Sequence, residues 1–244
     1  MKASPALNMQ TAASRAAQLG CSVDLEVAPN GNVRCCIWTA SVVEGAQQVA
    51  AAGGSLAAEL TVLITSSPVR SNPSTRMVQE SLASLDAFGG CAECRKLILC
   101  DGVTVKPKSR PKVGCVTAGE AELYSEYVAR LGALCRDDAS FGRTRVVQLG
   151  SRLGSAHAIR HALLHHVTTP FVIIVPHDCV LARPVPLRDV VRSMAGSAGA
   201  VRYVKLLGRS TLTYANRVAS QHQVRLETTR AFGTMAGALT YLYQ

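Results

Sequence analysis

The chain has few aromatic residues and no long apolar run. The first shortage disfavours binding of single-stranded nucleic acid, and the second disfavours a membrane span. Only 5% of its 244 residues are Phe, Trp or Tyr. Proteins that hold single-stranded nucleic acid usually stack its bases on aromatic rings, so the composition disfavours that class. A bilayer span needs about eighteen consecutive apolar residues, and the sequence contains no such run, which predicts no transmembrane segment. The hydrophobic content of 48% and charged content of 17% predict a soluble domain with a substantial core.

Acidic residues are scarce in the second part of the chain. Residues 139–244 hold 13 of the 26 Lys and Arg but only three of the 16 Asp and Glu, so they carry the whole net charge of +10. A positive field over a cleft suits a phosphorylated ligand. Nucleic acid is the less favoured partner, because no run of Lys and Arg occurs. A solvated arginine surface is the third interpretation.

The first residues lack the features of a secretory signal. No compact apolar core is followed by a cleavage pattern, so we do not expect a signal peptide. Residues 1–20 contain no acid but include Lys2 and Arg15, which leaves a transit peptide open. The compartment therefore stays undecided between cytoplasm and organelle. Residues 1–57 are biased toward small residues and are predicted to be an extension or linker, with one short strand near Cys35 to Trp38.

The nine cysteines do not form a disulfide framework or a complete zinc motif. Cys91 and Cys94 make a CxxC pair, but the second pair that a zinc ribbon needs is missing. Cys100 lies in an apolar stretch, where cysteine serves as a small hydrophobic residue. The sequence therefore disfavours a zinc site.

Hydrophobic periodicity predicts alternating strands and helices from residue 60 onward. Strands are predicted as short apolar runs and helices as stripes at three- and four-residue spacing. Phe171 to Val175 is apolar without alternation, as in a strand covered on both faces. The pattern predicts an α/β domain with a mostly parallel, doubly wound sheet and helices on both faces. The predicted strands are 60–65, 96–100, 145–149, 171–175 and 200–207, and the predicted helices begin after Thr75 and cover 118–135, 155–167 and 188–194.

Polar residues follow several of these strands directly. Asp101 and Asp178 each end an apolar run, and open α/β sheets bind ligands at the carboxyl ends of their strands. The turn Gly150–Gly154 precedes a helix, whose free amides favour an anion. The alternatives are that Asp101 caps a turn and that Arg152 and Arg160 cover surface. The histidines at 157, 161 and 165 form a helical stripe that either faces solvent or binds metal.

The order and spacing of these elements resemble the nucleotide-sugar glycosyltransferases of the GT-A fold, specifically the family 2-like group. The matching pieces are LTVLITSSPVRSNPST, KLILCDG and VVQLGSRLGSAHAIRHALLHHVTTPFVIIVPHDCVL, within residues 58 to about 205. The resemblance implies a nucleotide-diphosphate-sugar-binding domain over residues 58–244. It also implies a set of donor-binding residues: Thr65, Ser66, Ser67 and Asp101 for the nucleoside, and Gly154, His157, Ala158 and Arg160 beside the sugar diphosphate. Arg152 is a further candidate for the phosphate from its place in the glycine-framed turn.

Two departures from that family concern its metal site and its acceptor half. The family's Asp-x-Asp, which holds a divalent metal, is replaced by Pro176-His177-Asp178. Asp178 and His177 are the remaining candidate ligands for Mn²⁺ or Mg²⁺, but neighbouring strand residues face opposite ways, so a shared ion needs a bend. Only about forty residues follow the matched part, so the resemblance implies a short or missing acceptor half. Glu227 is the one acid there and the candidate catalytic base, with Arg225 and Arg230 favouring its ionised form.

The sequence thus predicts a glycosyltransferase-like protein that binds a nucleotide sugar and transfers the sugar to an acceptor hydroxyl, where the acceptor is unknown. The first alternative is a non-catalytic descendant that binds a nucleotide or a partner, which the missing acid favours. The second is a basic nucleic-acid-binding module, which only the charge favours.

Overall fold

The computed structural model describes residues 36–39, 54–110, 114–197 and 201–206, with the backbone alone for 36–39 and 205. These residues form eight strands, five α-helices and one short 3₁₀-helix. In chain order they are β1 Cys36–Thr39, α1 Leu56–Glu59, β2 Leu60–Ser66, α2 Arg76–Gly89, β3 Arg95–Cys100, β4 Thr104–Val105, β5 Cys115–Val116, α3 Ala118–Asp137, the 3₁₀-helix Ala139–Phe141, β6 Thr144–Gln148, α4 Ser155–His165, β7 Phe171–Pro176, α5 Leu187–Gly196 and β8 Tyr203–Lys205.

The principal sheet has six strands in the order β6-β3-β2-β7-β1-β8. The first four are mutually parallel, which confirms the predicted α/β class and parallel core. β1 runs antiparallel to both β7 and β8. The short strand predicted near Cys35 is confirmed at residues 36–39, so the sheet draws one strand from the stretch that the sequence assigned to an extension. A separate pair, β4 and β5, extends from the loop after β3.

Successive residues of the central strands feed two hydrophobic clusters. Val62 and Ile64 belong to the larger cluster, together with apolar side chains of α2, α3 and α5. Leu63 belongs to the smaller cluster, together with side chains of α4. Because neighbouring strand residues point to opposite faces, the two clusters lie on the two faces of the sheet. Burying each of these aliphatic side chains contributes about 1.5–3 kcal/mol to stability, which explains why the middles of β2, β3 and β7 are apolar.

Local sequence signals set the helix boundaries. α3 begins with a capping box, in which Thr117 Oγ1 accepts the Glu120 amide and the Glu120 carboxylate accepts the Thr117 amide. α2 is capped by Gly90, the residue after its last one, whose φ of 65° is the left-handed conformation that glycine adopts without a Cβ penalty. α4 ends at His165, two residues before the predicted Val167.

Some predictions lie partly or wholly outside the described residues. Of the strand predicted over 200–207, the structure has Tyr203–Lys205. Glu227, Arg225 and Arg230 lie outside the described ranges. Within those ranges, no helix combines the length and apolar character that crossing a membrane requires. Likewise, no group of three His, Cys, Asp or Glu in the described part of the chain could hold a metal ion.

Candidate ligand site at the carboxyl edge of the sheet

The carboxyl ends of β6, β3, β2 and β7 lie along one edge of the sheet, because these strands are parallel and adjacent. Thr65 and Asp101 stand at the ends of β2 and β3, and His177 follows β7. The chain passes outward from β2 through β3 to β6 and then returns to place β7 on the other side of β2. The strand order therefore reverses between β2 and β7. Such a reversal opens a crevice at the carboxyl edge, where open α/β sheets bind ligands.

Asp101 is tied to the turn that precedes α4. Its Oδ1 accepts the backbone N–H of Leu153 at 2.9 Å and that of Gly102 at 2.9 Å. Its Oδ2 accepts the N–H of Gly154, also at 2.9 Å. The sequence led us to expect a ligand anion on the amides of this turn, whereas two of these amides bind the carboxylate of Asp101. This contact corresponds to the turn-capping alternative for Asp101.

A glycine allows this turn to approach β3. A Cβ on Gly102 would overlap the backbone of Ser151 and Arg152. Any other residue would push the turn outward and lengthen the bonds to Asp101. The Asp-Gly pair after β3 therefore holds the turn before α4 against this strand. Gly102 leaves room for the turn to approach, and the Asp101 carboxylate accepts its amides.

The three hydroxyl residues at the carboxyl end of β2 have different surroundings. Ser66 is buried, and its Oγ lies 2.8 Å from the hydroxyl oxygen of Tyr127 on α3. That bond occupies Ser66 within the protein. Thr65 is half-buried and Ser67 is exposed, so these two remain accessible to a ligand.

His177 is buried, with 8% of its surface exposed, at the reversal between β2 and β7. Its backbone N–H donates to the carbonyl oxygen of Thr65 at 3.0 Å, and its Nδ1 lies 3.1 Å from the same oxygen. A carbonyl oxygen can only accept, so Nδ1 carries the proton. In the form of the ring that carries one proton, the lone pair is therefore on Nε2. This nitrogen is buried and has no hydrogen-bond partner among the described residues.

Asp178 follows His177 and is exposed. β7 ends at Pro176, and the Cys179 N–H donates to the Pro176 carbonyl at 3.0 Å, so residues 177 and 178 lie in a turn. The bend that a shared ion requires is thus present. The thiol of Cys179 lies 3.8 Å from Asp178 Oδ1, and burial raises the pKa of this thiol to about 11.

Arg152, His157 and Arg160 are exposed around the start of α4. Neither arginine has a carboxylate within ion-pair distance in the described part of the chain. Gly154 begins α4 with a φ of 79° and gives the helix no side-chain cap. The first turn of α4 thus has no side-chain cap, and two arginines without a carboxylate partner among the described residues lie in the same stretch of chain, an arrangement that attracts anions.

Two tyrosines of α3 support this edge, and the sequence interpretation did not assign them to it. Tyr124 donates its hydroxyl to the backbone carbonyl of Asp101 at 2.9 Å. Burial raises the pKa of Tyr124 and that of Tyr127, so both keep their protons at physiological pH. Their spacing of three places both on the buried stripe of α3, which is the sequence signal that could have identified them.

An open groove elsewhere in the molecule shares no residue with this edge. Its volume is about 620 Å³, and it is lined by the ends of α2 and α3, including Thr75, Arg130, Leu134 and Asp137. None of the predicted donor-binding residues lines it. The carboxyl edge is therefore the candidate site because of its topology and side-chain chemistry, and not because of the size of a cavity.

No protein-family model, curated protein or solved structure matches the chain. The resemblance to the GT-A glycosyltransferases thus remains a hypothesis from the order of elements in the sequence.

Proposed function

We propose that this chain is a GT-A-like, doubly wound domain that binds a nucleoside-diphosphate sugar at the carboxyl edge. The observation that carries the proposal is the unpartnered Nε2 of His177 at the reversal between β2 and β7. A buried polar atom without a partner costs about 1–3 kcal/mol, and a ligand that supplies the partner recovers this free energy. This nitrogen also lies at the reversal of strand order, which is where open α/β sheets bind their ligands.

The charge distribution supports a phosphorylated ligand. The exposed Arg152 and Arg160 and the first turn of α4, which has no side-chain cap, lie on the side of the edge that follows β6. The half-buried Thr65 and exposed Ser67 lie beside His177 at the end of β2. A diphosphate fits the first group, and the hydroxyls of a ribose or sugar fit the second.

His177 and Asp178 also fit a divalent metal ion in part. A metal-binding histidine usually donates its other ring N–H to a carbonyl or carboxylate, as Nδ1 of His177 does toward Thr65. With two protein ligands, the remaining positions belong to diphosphate oxygens and water, and a nitrogen ligand suits Mn²⁺ better than Mg²⁺. A bound ion would stabilise the negative charge of a departing diphosphate.

The reaction that this arrangement suits is transfer of the sugar to an acceptor hydroxyl. Asp101 is a poor general base, because its carboxylate already accepts three backbone N–H groups. Asp178 is the other acid at the described edge, and we assign it to the metal. The base is therefore Glu227 in this proposal. A non-catalytic nucleotide binder is the second candidate, and the occupied carboxylate of Asp101 favours it.

Calorimetric titration with UDP and GDP, with and without Mn²⁺, tests the proposal. Binding at 100 times Kd raises the unfolding free energy by about 2.7 kcal/mol, so the melting temperature should rise as well. His177→Ala and Asp178→Ala should each remove the enhancement by Mn²⁺. Asp189→Asn, at an exposed position on α5, is the matched control and should keep it.

Failure of both nucleotides to bind would overturn the proposal. An equal stabilisation by RNA, lost steeply as salt is added, would instead favour the nucleic-acid alternative.

A further inference from the structure

Cys91 and Cys94 bracket the turn that joins α2 to β3. The Cys94 N–H donates to the Cys91 carbonyl at 2.9 Å and closes the turn. β3 begins at the next residue, Arg95, so the turn lies at the amino end of that strand. The proposed nucleotide site is at the opposite, carboxyl end of the sheet. Whatever chemistry the two thiols have is therefore independent of that site.

The geometry of the turn allows the two cysteines to be joined. Both are free thiols, with 0% and 1% of their surfaces exposed. The Cys91 thiol donates its proton to the backbone carbonyl oxygen of Gly89 at 3.7 Å. Residues i and i+3 of such a turn have Cα atoms less than about 7 Å apart, which overlaps the range of disulfide-bonded cysteines. A disulfide can form here with little movement of the backbone.

A buried ammonium group stands beside the thiols. Lys96 is 2% exposed, and its Nζ donates to the Ala92 carbonyl, inside the turn, at 3.0 Å. The Asp86 carboxylate Oδ1 lies 3.1 Å from the same nitrogen. That oxygen has no aligned hydrogen bond, so the contact is an ion pair without a directed bond. Lys96 therefore places a positive charge near the cysteines where little water screens it.

The two thiols are not equivalent in this environment. The Cys91 thiol is held in a hydrogen bond to the Gly89 carbonyl, and the neighbouring Cys94 and burial raise its pKa. The neighbouring Cys91 and the charge of Lys96 lower the pKa of Cys94, against the effect of burial. Because the Gly89 carbonyl holds the Cys91 proton, we assign Cys94 as the attacking sulfur and Cys91 as the resolving one. A reactive dithiol has this division between an attacking and a resolving thiol.

We propose that Cys91 and Cys94 form a redox site that exchanges with low-molecular-weight disulfides. The Cys94 thiolate attacks one sulfur of a disulfide RSSR, which forms a mixed disulfide and releases RS⁻. Cys91 then loses its proton and attacks Cys94 Sγ, which forms the Cys91–Cys94 disulfide and releases the second RS⁻. Two protons pass to the released thiolates. The protein is oxidised by two electrons, and RSSR is reduced to two RSH.

Access to the site requires a local opening of the turn. Ala92 and Glu93, between the cysteines, are exposed, so the turn itself faces solvent. Its outer side is held by an ion pair of 3.1 Å between Glu93 and Arg143, and both of these side chains are more than half exposed. Surface ion pairs contribute little to stability, so this contact is only a small obstacle to opening of the turn.

Incubation of the full chain with oxidised glutathione, followed by mass spectrometry and peptide mapping, tests the proposal. We expect an internal disulfide between Cys91 and Cys94, with loss of two free thiols and no retained glutathione on either residue. Both residues still reduced while glutathione adducts form on the half-buried Cys179 or Cys115 would overturn the proposal.

Single variants test which sulfur attacks. Cys91→Ser should accumulate glutathione on Cys94, because the resolving thiol is absent. In the Cys94→Ser variant, glutathione should react with Cys91 at least about tenfold more slowly than it reacts with Cys94 in the Cys91→Ser variant. Equal rates would overturn the assignment of Cys94 as the attacking thiol. Cys135→Ser, on α3, is the matched cysteine control and should leave the crosslink unchanged.

Two charge variants separate electrostatics from simple loosening of the turn. Lys96→Met should slow the reaction by about threefold for each pKa unit that Cys94 regains, since lost thiolate is partly offset by greater nucleophilicity. Asp86→Asn should speed it, because the Asp86 carboxylate raises the pKa of Cys94. If both variants speed the reaction, opening alone controls the rate and the role of Lys96 is wrong.

Discussion

Asp101 and Gly154 are 53 positions apart in the chain and are joined by a hydrogen bond of 2.9 Å from the Gly154 N–H to Asp101 Oδ2. This bond couples the end of β3 to the start of α4. One acid at the carboxyl edge thus holds a turn in place, while His177, at the end of β7, keeps a buried nitrogen without a partner among the described residues. The edge therefore divides into a part whose polar groups are paired and a part with an unpaired one.

The first prediction follows from this coupling. Asp101→Ala removes the acceptor of three N–H groups, and we expect the free energy of unfolding to fall by about 2–3 kcal/mol, since bonds to charged groups contribute about 1.5–3 kcal/mol each and this site is half exposed. Asp101→Asn should lose at least about 1 kcal/mol, because its NH₂ group would face an amide donor. Urea unfolding measures both losses. Glu122→Gln, at an exposed position on α3, should stay within about 0.5 kcal/mol of the unmodified chain.

Much of this architecture could be predicted from periodicity. The central parallel strands contain apolar runs, of which Phe171–Val175 is uninterrupted, and strong local patterns of this kind survive in the fold. Parallel strands also bring their carboxyl ends to one edge, which is why Thr65, Asp101 and Asp178 could be placed there together.

The partners of the polar groups could not be predicted in the same way. Whether Asp101 meets a ligand or the amide of Gly154 depends on how closely a turn fifty residues later approaches. That approach is decided by the missing side chain of Gly102 in three dimensions. Ser66 was also misleading, because the sequence shows a polar residue after a strand but not its bond to Tyr127 on α3.

The second prediction concerns that buried pair. Tyr127→Phe leaves the Ser66 hydroxyl buried without its partner, and Ser66→Ala does the same to the Tyr127 hydroxyl. Each change should cost about 1–2 kcal/mol of unfolding free energy. The double variant should lose less than the sum of the two by about 1 kcal/mol, as expected of a direct contact. Additive losses in urea unfolding would argue against the bond. Ser125→Ala, exposed on the same helix, is the control.

The third prediction concerns pH and the histidines near the end of α4. The rings of His161 and His165 have centroids 4.6 Å apart, and those of His161 and His166 are 5.6 Å apart. Burial lowers the pKa of His166 below 6.5, with further contributions from His161, Arg145, His165 and Arg95. Below pH 6.5 the unfolded chain therefore binds this proton more readily than the folded chain does.

Stability should consequently be level above about pH 7 and fall as the pH drops through 6.5 toward the depressed pKa of folded His166. His166→Asn should flatten part of this fall, with little effect at pH 8, where neither state carries the proton. Melting temperatures measured from pH 8 to pH 5 decide the outcome. A profile unchanged by the substitution would show that His166 does not contribute.

The fourth prediction separates donor binding from sugar transfer. In the proposed site, Asp178 serves the metal and Glu227 serves as the base that takes the proton of the acceptor hydroxyl. Glu227→Gln should therefore leave the affinity for nucleotide diphosphate unchanged and lower the release of nucleotide diphosphate from a nucleotide sugar by at least about a hundredfold. Asp178→Asn should weaken both binding in the presence of Mn²⁺ and release.

Incubation with a panel of nucleotide sugars and acceptors, monitored by nucleotide diphosphate release, measures the reaction. We expect the chain to bind donor more readily than it transfers sugar, because at the described edge Asp101 is occupied by backbone amides and Asp178 is assigned to the metal. Rapid release that both substitutions abolish would establish a complete enzyme with Glu227 as its base. Binding with no release for any donor and acceptor would instead establish the non-catalytic alternative. Rapid release that persists in Glu227→Gln would require another base, and the exposed Asp178 would be the first acid to test.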